Sequence, residues 1–115
     1  MRYLMVHRID ESKPDAYVPT PELMAGMGAL MGEMTRAGVL LAAEGVTHSS
    51  KGARIRVANG KKTVTDGPFT EAKEVIGGFA LIQVRSLDEA KQWAGRFADV
   101  VGDTEIEVRE VSEFK

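Results

Sequence analysis

Asp66-Gly67-Pro68 cannot be the interior of a helix. Glycine costs backbone entropy there, and proline lacks the N–H and clashes one helical turn back. The corner separates two blocks of different character. Upstream, Asn59-Gly60 is the preferred pair for a two-residue type I′ turn, flanked by Arg54-Ile55-Arg56-Val57 and Thr63-Val64-Thr65. That turn sets Ile55 opposite Val64, Arg54 opposite Thr65 and Arg56 opposite Thr63. One face of the ribbon is then apolar, and the other carries two guanidinium groups. Downstream, after Phe69, Glu71, Lys73 and Glu74, comes the most apolar run of the chain, Val75 to Val84, broken by Gly77-Gly78. It reads as a strand, Val75 to Arg85, apolar on both faces.

The remaining segments complete a repeating order. Residues 2–9 read as a central strand, with Leu4 and Val6 alternating with Tyr3, Met5 and His7. Residues 10–19 are a polar loop. Thr20 suits a helix N-cap, Pro21 the first helical position and Glu22 the positive end of the dipole. Leu23, Met27, Leu30, Met31 and Met34 share one face, Met24 joins them as core filler, and Gly38 ends the helix. Val39 to Val46 is a strand with Val39-Leu40-Leu41-Ala42-Ala43 as its buried part. Residues 47–52 are a loop. Ser86 and Glu89 are spaced as a capping box for a second helix, with Ala90, Trp93, Ala94 and Phe97 toward the core. Residues 104–111 form the last strand, Ile106 and Val108 inward.

The expected fold is one domain, residues 1–115: an α+β, ferredoxin-like split β-α-β sandwich with an inserted β-hairpin. Two helices cover one face of its sheet. Tyr3, Met5, His7 and one side of the Val75–Val84 strand are assigned to the other face, which must also be covered. The expected cover is a second copy, giving a homodimer with a closed cleft.

Charge and composition narrow the function. A net charge of −2 offers no basic field for nucleic acid. The absence of cysteine removes disulfides, thiolate nucleophiles and Cys-held metals, and fits a reducing cytoplasm. The longest apolar run is about half of the roughly 20 residues that span a bilayer. With two histidines and no metal-ligand spacing, neither a metal nor a cofactor is expected. Gly26-Met27-Gly28 with Gly32 lies inside a helix and is not a dinucleotide fingerprint.

Candidate site residues gather around the corner. Asp66 is a candidate base or ligand anchor; the structural alternative is an Asx-type bond to the turn. Glu71 and Glu74 are spaced to share a face, or form a solvated cluster with Lys73. Ser49-Ser50-Lys51-Gly52 offers hydroxyls, a cation and a pliant backbone to an anion. His7, on an apolar strand face, is a weaker catalytic candidate, its pKa lowered by desolvation. His48 sits in a polar loop where exposure is the default.

Ser49-Ser50-Lys51-Gly52-Ala53-Arg54, Val64-Thr65-Asp66-Gly67-Pro68-Phe69-Thr70-Glu71-Ala72-Lys73-Glu74, Gly78-Phe79, Ser86-Leu87-Asp88-Glu89-Ala90 and Glu105-Ile106-Glu107-Val108-Arg109 together resemble the YCII-related domain family in its DGPF-type branch. The resemblance implies a dimeric α/β barrel. It includes, among wider relatives, cofactor-free isomerases and some members with a proposed His–Asp pair. Asp66 matches a motif aspartate, but neither His7 nor His48 falls at a family histidine's position. This branch is linked with extracytoplasmic-function sigma factors, which implies a regulatory setting.

The reading that follows is a cytoplasmic homodimeric domain that binds a small, anionic molecule at the dimer sheet interface. Ser50, Lys51, Arg54, Asp66, Phe69, Glu71, Lys73 and Glu74 are its expected ligand-binding residues. The alternatives are a cofactor-free acid–base enzyme using Asp66, and a structural dimerisation domain. No membrane or nucleic-acid partner is expected.

Overall fold

The computed structural model describes residues 1–14, 16 and 18–113. Its elements are β1 (Arg2–Ile9), α1 (Pro21–Arg36), β2 (Leu40–Gly45), β3 (Ala53–Ala58), β4 (Lys61–Asp66), β5 (Val75–Gln83), α2 (Leu87–Val101) and β6 (Ile106–Glu110). A four-stranded sheet has the order β2-β5-β1-β6, every neighbouring pair antiparallel. With the two helices it makes the α+β arrangement of a ferredoxin-like sandwich. β3 and β4 form a separate two-stranded ribbon.

The helices begin where the sequence marks them. Thr20 Oγ1 accepts the Leu23 N–H at 3.0 Å, and Pro21 is the first helical residue. Gly38, at φ +75°, closes α1 with its N–H on the Thr35 carbonyl. Ser86 Oγ accepts the Glu89 N–H, and the Glu89 carboxylate reaches back to the Arg85 N–H, one residue earlier than a capping box requires. Glu33 on α1 and Arg96 on α2 form a forked ion pair across the helix layer. Each holds the other in its charged form: Glu33 titrates low, Arg96 high.

The core lies between the helices and one sheet face. Tyr3 and Met5 of β1, Ala80 and Ile82 of β5, and Leu30, Met34, Ala90 and Ala94 of the helices are buried. This corrects the expected assignment of faces. Tyr3, Met5 and His7 point toward the helices, and His7 meets Phe97 of α2 edge to face at 5.8 Å. The open face carries the alternate set. Leu4 pairs with Leu81 and Val6 with Phe79, beside Arg8 and Glu107, which are ion-paired at 3.2 Å. Alternation alone cannot say which of two apolar sets meets the helices. The small residues of β5 decide it, because Ala80 opposite Met5 and Gly78 opposite His7 leave room for helical side chains.

Two smaller expectations also change. Leu41 and Ala42 are exposed, because β2 is the edge strand and its register slips between Leu40 and Ala42. Met24, at 62% exposure, belongs to the outer side of α1 and not to the core.

Burial of the His7 ring lowers its pKa. The folded chain therefore favours neutral imidazole and binds fewer protons than the unfolded chain just below the ordinary histidine pKa. That contribution to stability is present above about pH 6.5 and declines as pH falls toward the folded pKa. An NMR titration should find His7 titrating below an unperturbed histidine; a midpoint at or above 6.5 would contradict the burial seen against Phe97.

The ribbon obeys its turn signal. Asn59 and Gly60 have φ +51° and +75°, and the register is the expected one, Ile55 with Val64 and Arg56 with Thr63. It projects from the body with both faces in solvent, Ile55, Val57 and Val64 included. The radius of gyration is 16.0 Å, against about 13 Å for a compact chain of this length.

Candidate functional site

The corner at Asp66-Gly67-Pro68 is built against a loop distant in sequence. Residues Ser49–Lys51 form one 3-10 turn, capped by His48, whose Nδ1 accepts the Ser50 N–H at 3.1 Å. Ser50 Oγ lies 3.0 Å from the same nitrogen. With Nδ1 an acceptor, the neutral ring carries its proton on Nε2, which faces a Glu11 carboxylate oxygen at 3.8 Å. Ser49 is buried and joins three segments. Its N–H donates to Glu11 at 3.0 Å, its hydroxyl donates to the other Glu11 oxygen, and its Oγ accepts the Phe69 N–H at 2.9 Å. The Gly67 N–H donates to the Gly52 carbonyl at 2.9 Å. The Gly67–Pro68 peptide is cis.

Gly67 is required by contact and not by dihedral angle. A Cβ there would lie 2.6 Å from the Ser49 carbonyl carbon and closer still to its oxygen. The corner and the Ser49 turn are thus in backbone contact, and Phe69 follows as a fixed wall. Over that ring, at 3.9 Å, lies the guanidinium of Arg54, which also pairs with Glu71. An exposed cation stacked this way gains about 0.5–1 kcal/mol.

Between the Ser49 turn, Phe69 and the start of β5 is an open cleft of about 460 Å³. Val46, Phe69, Val75 and Ile76 supply an apolar wall; Arg8, Lys51 and Arg54 supply cations; Glu74 is the carboxylate. His48 and Ser49 complete the inner side. Arg8 and Ile76 are cross-strand partners, with Arg8 on the face away from the helices, so the cleft opens on the uncovered side of the sheet.

Of the residues expected from sequence, Lys51, Arg54, Phe69 and Glu74 converge in this cleft. Ser50 is exposed beside His48, and Glu71 reaches the cleft only through Arg54. Lys73 is exposed outside the cleft lining; after two stronger hydrogen bonds from Ser12 and the charge of Lys13, it adds to holding the Asp10 carboxylate below its ordinary range. Asp66 is exposed at the end of β4 opposite Ala53, outside the cleft lining. Its carboxylate makes no hydrogen bond among the described residues, so the Asx-type alternative is not realised either. His7 lies on the helix-covered face, away from the cleft.

Sequence reasoning missed Glu11, Arg8 and His48. Arg8 could have been found from the strand's alternation, since it shares a face with Leu4 and Val6. Glu11 carried no local signal: its partner is 38 positions away. Among the described residues no cluster of three or more His, Asp or Glu side chains is placed to hold a metal. No helix among them is long and apolar enough to cross a membrane.

The match to known proteins spans this whole frame. The YCII-related domain model covers residues 1–115, and the chain belongs to that family. An uncharacterized protein of Rhizobium meliloti (strain 1021), R00369, is 31% identical over 118 positions, which cover all of this chain and 95% of that protein.

Proposed function

We propose that this chain is a binding domain for a small organic anion with an apolar body, held in the cleft beside the Ser49 turn and roofed by a second copy. The observation that carries it is the cleft's charge. Three cations and one carboxylate line it beside an apolar wall; Arg8 and Arg54 are already paired with Glu107 and Glu71, and Lys51 is the lining cation with no ion pair among the described residues. A carboxylate or phosphate would supply the missing counter-charge, while Val46, Phe69 and Ile76 take up the apolar part. The second copy is supported by the open sheet face, where Leu4, Val6, Phe79 and Leu81 are only half-buried and no helix covers them among the described residues, as in half of a dimeric α/β barrel.

Benzoate and inorganic phosphate are suitable probes. Millimolar benzoate should raise the melting temperature of the wild-type protein, and phosphate should do so less because it leaves the apolar wall in water. Lys51→Glu should weaken benzoate binding about tenfold or more, the loss of one charge-assisted hydrogen bond. Calorimetry checks both; wild-type protein unmoved by either anion would end the ligand reading.

A further inference from the structure

The outer part of the ribbon, beyond Arg54, is exposed on both faces. A two-stranded hairpin is marginal in water by itself. This one exposes Ile55 at 67%, Val57 at 63% and Val64 at 62%, all on one face. Of β3 only Ala53 and Arg54, at its base, line the cleft; Ile55, Val57 and Val64 lie beyond it. Its own body leaves that face exposed. The whole chain exposes 8202 Å², where a compact monomer of its mass exposes about 6,200 Å². The excess, about 2,000 Å², is more than twice the roughly 800 Å² each partner contributes to a standard interface.

Charge indicates what covers it. In residues 53–66, four cations (Arg54, Arg56, Lys61 and Lys62) stand against Asp66 alone, so the ribbon carries +3. The chain as a whole carries −2, which leaves −5 on everything else. A basic arm suits an acidic body, and the open sheet face carries the exposed Glu44 beside Phe79.

We propose that the ribbon is a dimerisation arm. The Ile55, Val57 and Val64 face of each copy packs on the open sheet face of the other, over Phe79 and Leu81, and covers the exposed Ile76 and Val46 at the mouth of its cleft. The partner thus completes the cleft. This rests on the second-copy reading above, and the experiment separates the two.

Sedimentation of the full chain at micromolar concentration is compared with that of an Ile55→Asp, Val57→Asp, Val64→Asp variant. The wild type should be dimeric and the variant monomeric with the same circular dichroism; if the triple variant does not fold, Ile55→Thr with Val64→Thr should weaken the dimer at least tenfold. A ribbon variant that stays fully dimeric overturns the arm and leaves the second copy. A monomeric wild type overturns both, and so does a monomer that uses the ribbon to bind vesicles of phosphatidylglycerol. The chain has no cysteine, so a bifunctional maleimide can join Val57→Cys in one copy to Leu81→Cys in another. Ribbon-to-ribbon crosslinks alone would overturn the docking face.

Discussion

Gly67→Ala should unfold this protein at markedly lower urea than the wild type, with a loss of about 1–3 kcal/mol and nearer the upper figure. The reason is the atom it would meet. A methyl at position 67 overlaps the Ser49 carbonyl, which is backbone and cannot rotate away as a flexible side chain could. Relief requires the corner and the Ser49 turn to separate. That would also break the Phe69 N–H bond to Ser49 Oγ and the Gly67 N–H bond to the Gly52 carbonyl. Phe69 would then leave the cleft wall, so benzoate binding should fall together with stability. Pro68→Ala has no such overlap as its cause and serves as a comparison. A Gly67→Ala protein as stable as the wild type would show that the two backbones do not touch.

Glu11→Ala is the second large effect, about 3 kcal/mol or more, measured by the same urea titration. Glu11 accepts two bonds from Ser49, one from the N–H and one from the hydroxyl, and its side chain is 11% exposed. Bonds to a charged partner contribute about 1.5–3 kcal/mol each, and the buried Ser49 N–H would be left without an acceptor. The loss should be non-additive with Ser49→Ala, since both changes remove the hydroxyl bond, while Ser49→Ala keeps the N–H bond to Glu11. Additive losses would mean that the two residues act separately and that Glu11 does not hold the turn.

These two expectations share a cause that is invisible along the chain. The Asp66 corner is legible in sequence because glycine and proline punctuate locally. Its support is not, because Glu11, Ser49 and Phe69 meet only in the folded molecule. The glycine at 67 looks like a turn residue in sequence; in the structure its task is to let one backbone approach another. Asp66 shows the reverse case. A carboxylate at a corner looks like a site, yet it ends in solvent outside the cleft, while Lys51 and Arg54 from the preceding loop and strand line it.

Periodicity, caps and turn chemistry are local, and from them the sequence by itself determined the element order, both helix starts and the register of the ribbon. A residue's own dihedral preferences and its neighbours three or four places away are enough to specify those. Tertiary structure decided which apolar set of β1 met the helices, because that depended on the small residues of β5 lying beside it. It also decided which charges converged. Arg8, Lys51, Arg54 and Glu74 come from four segments, and only the sheet pairing and the contact of Gly67 with Ser49 bring them around one cleft.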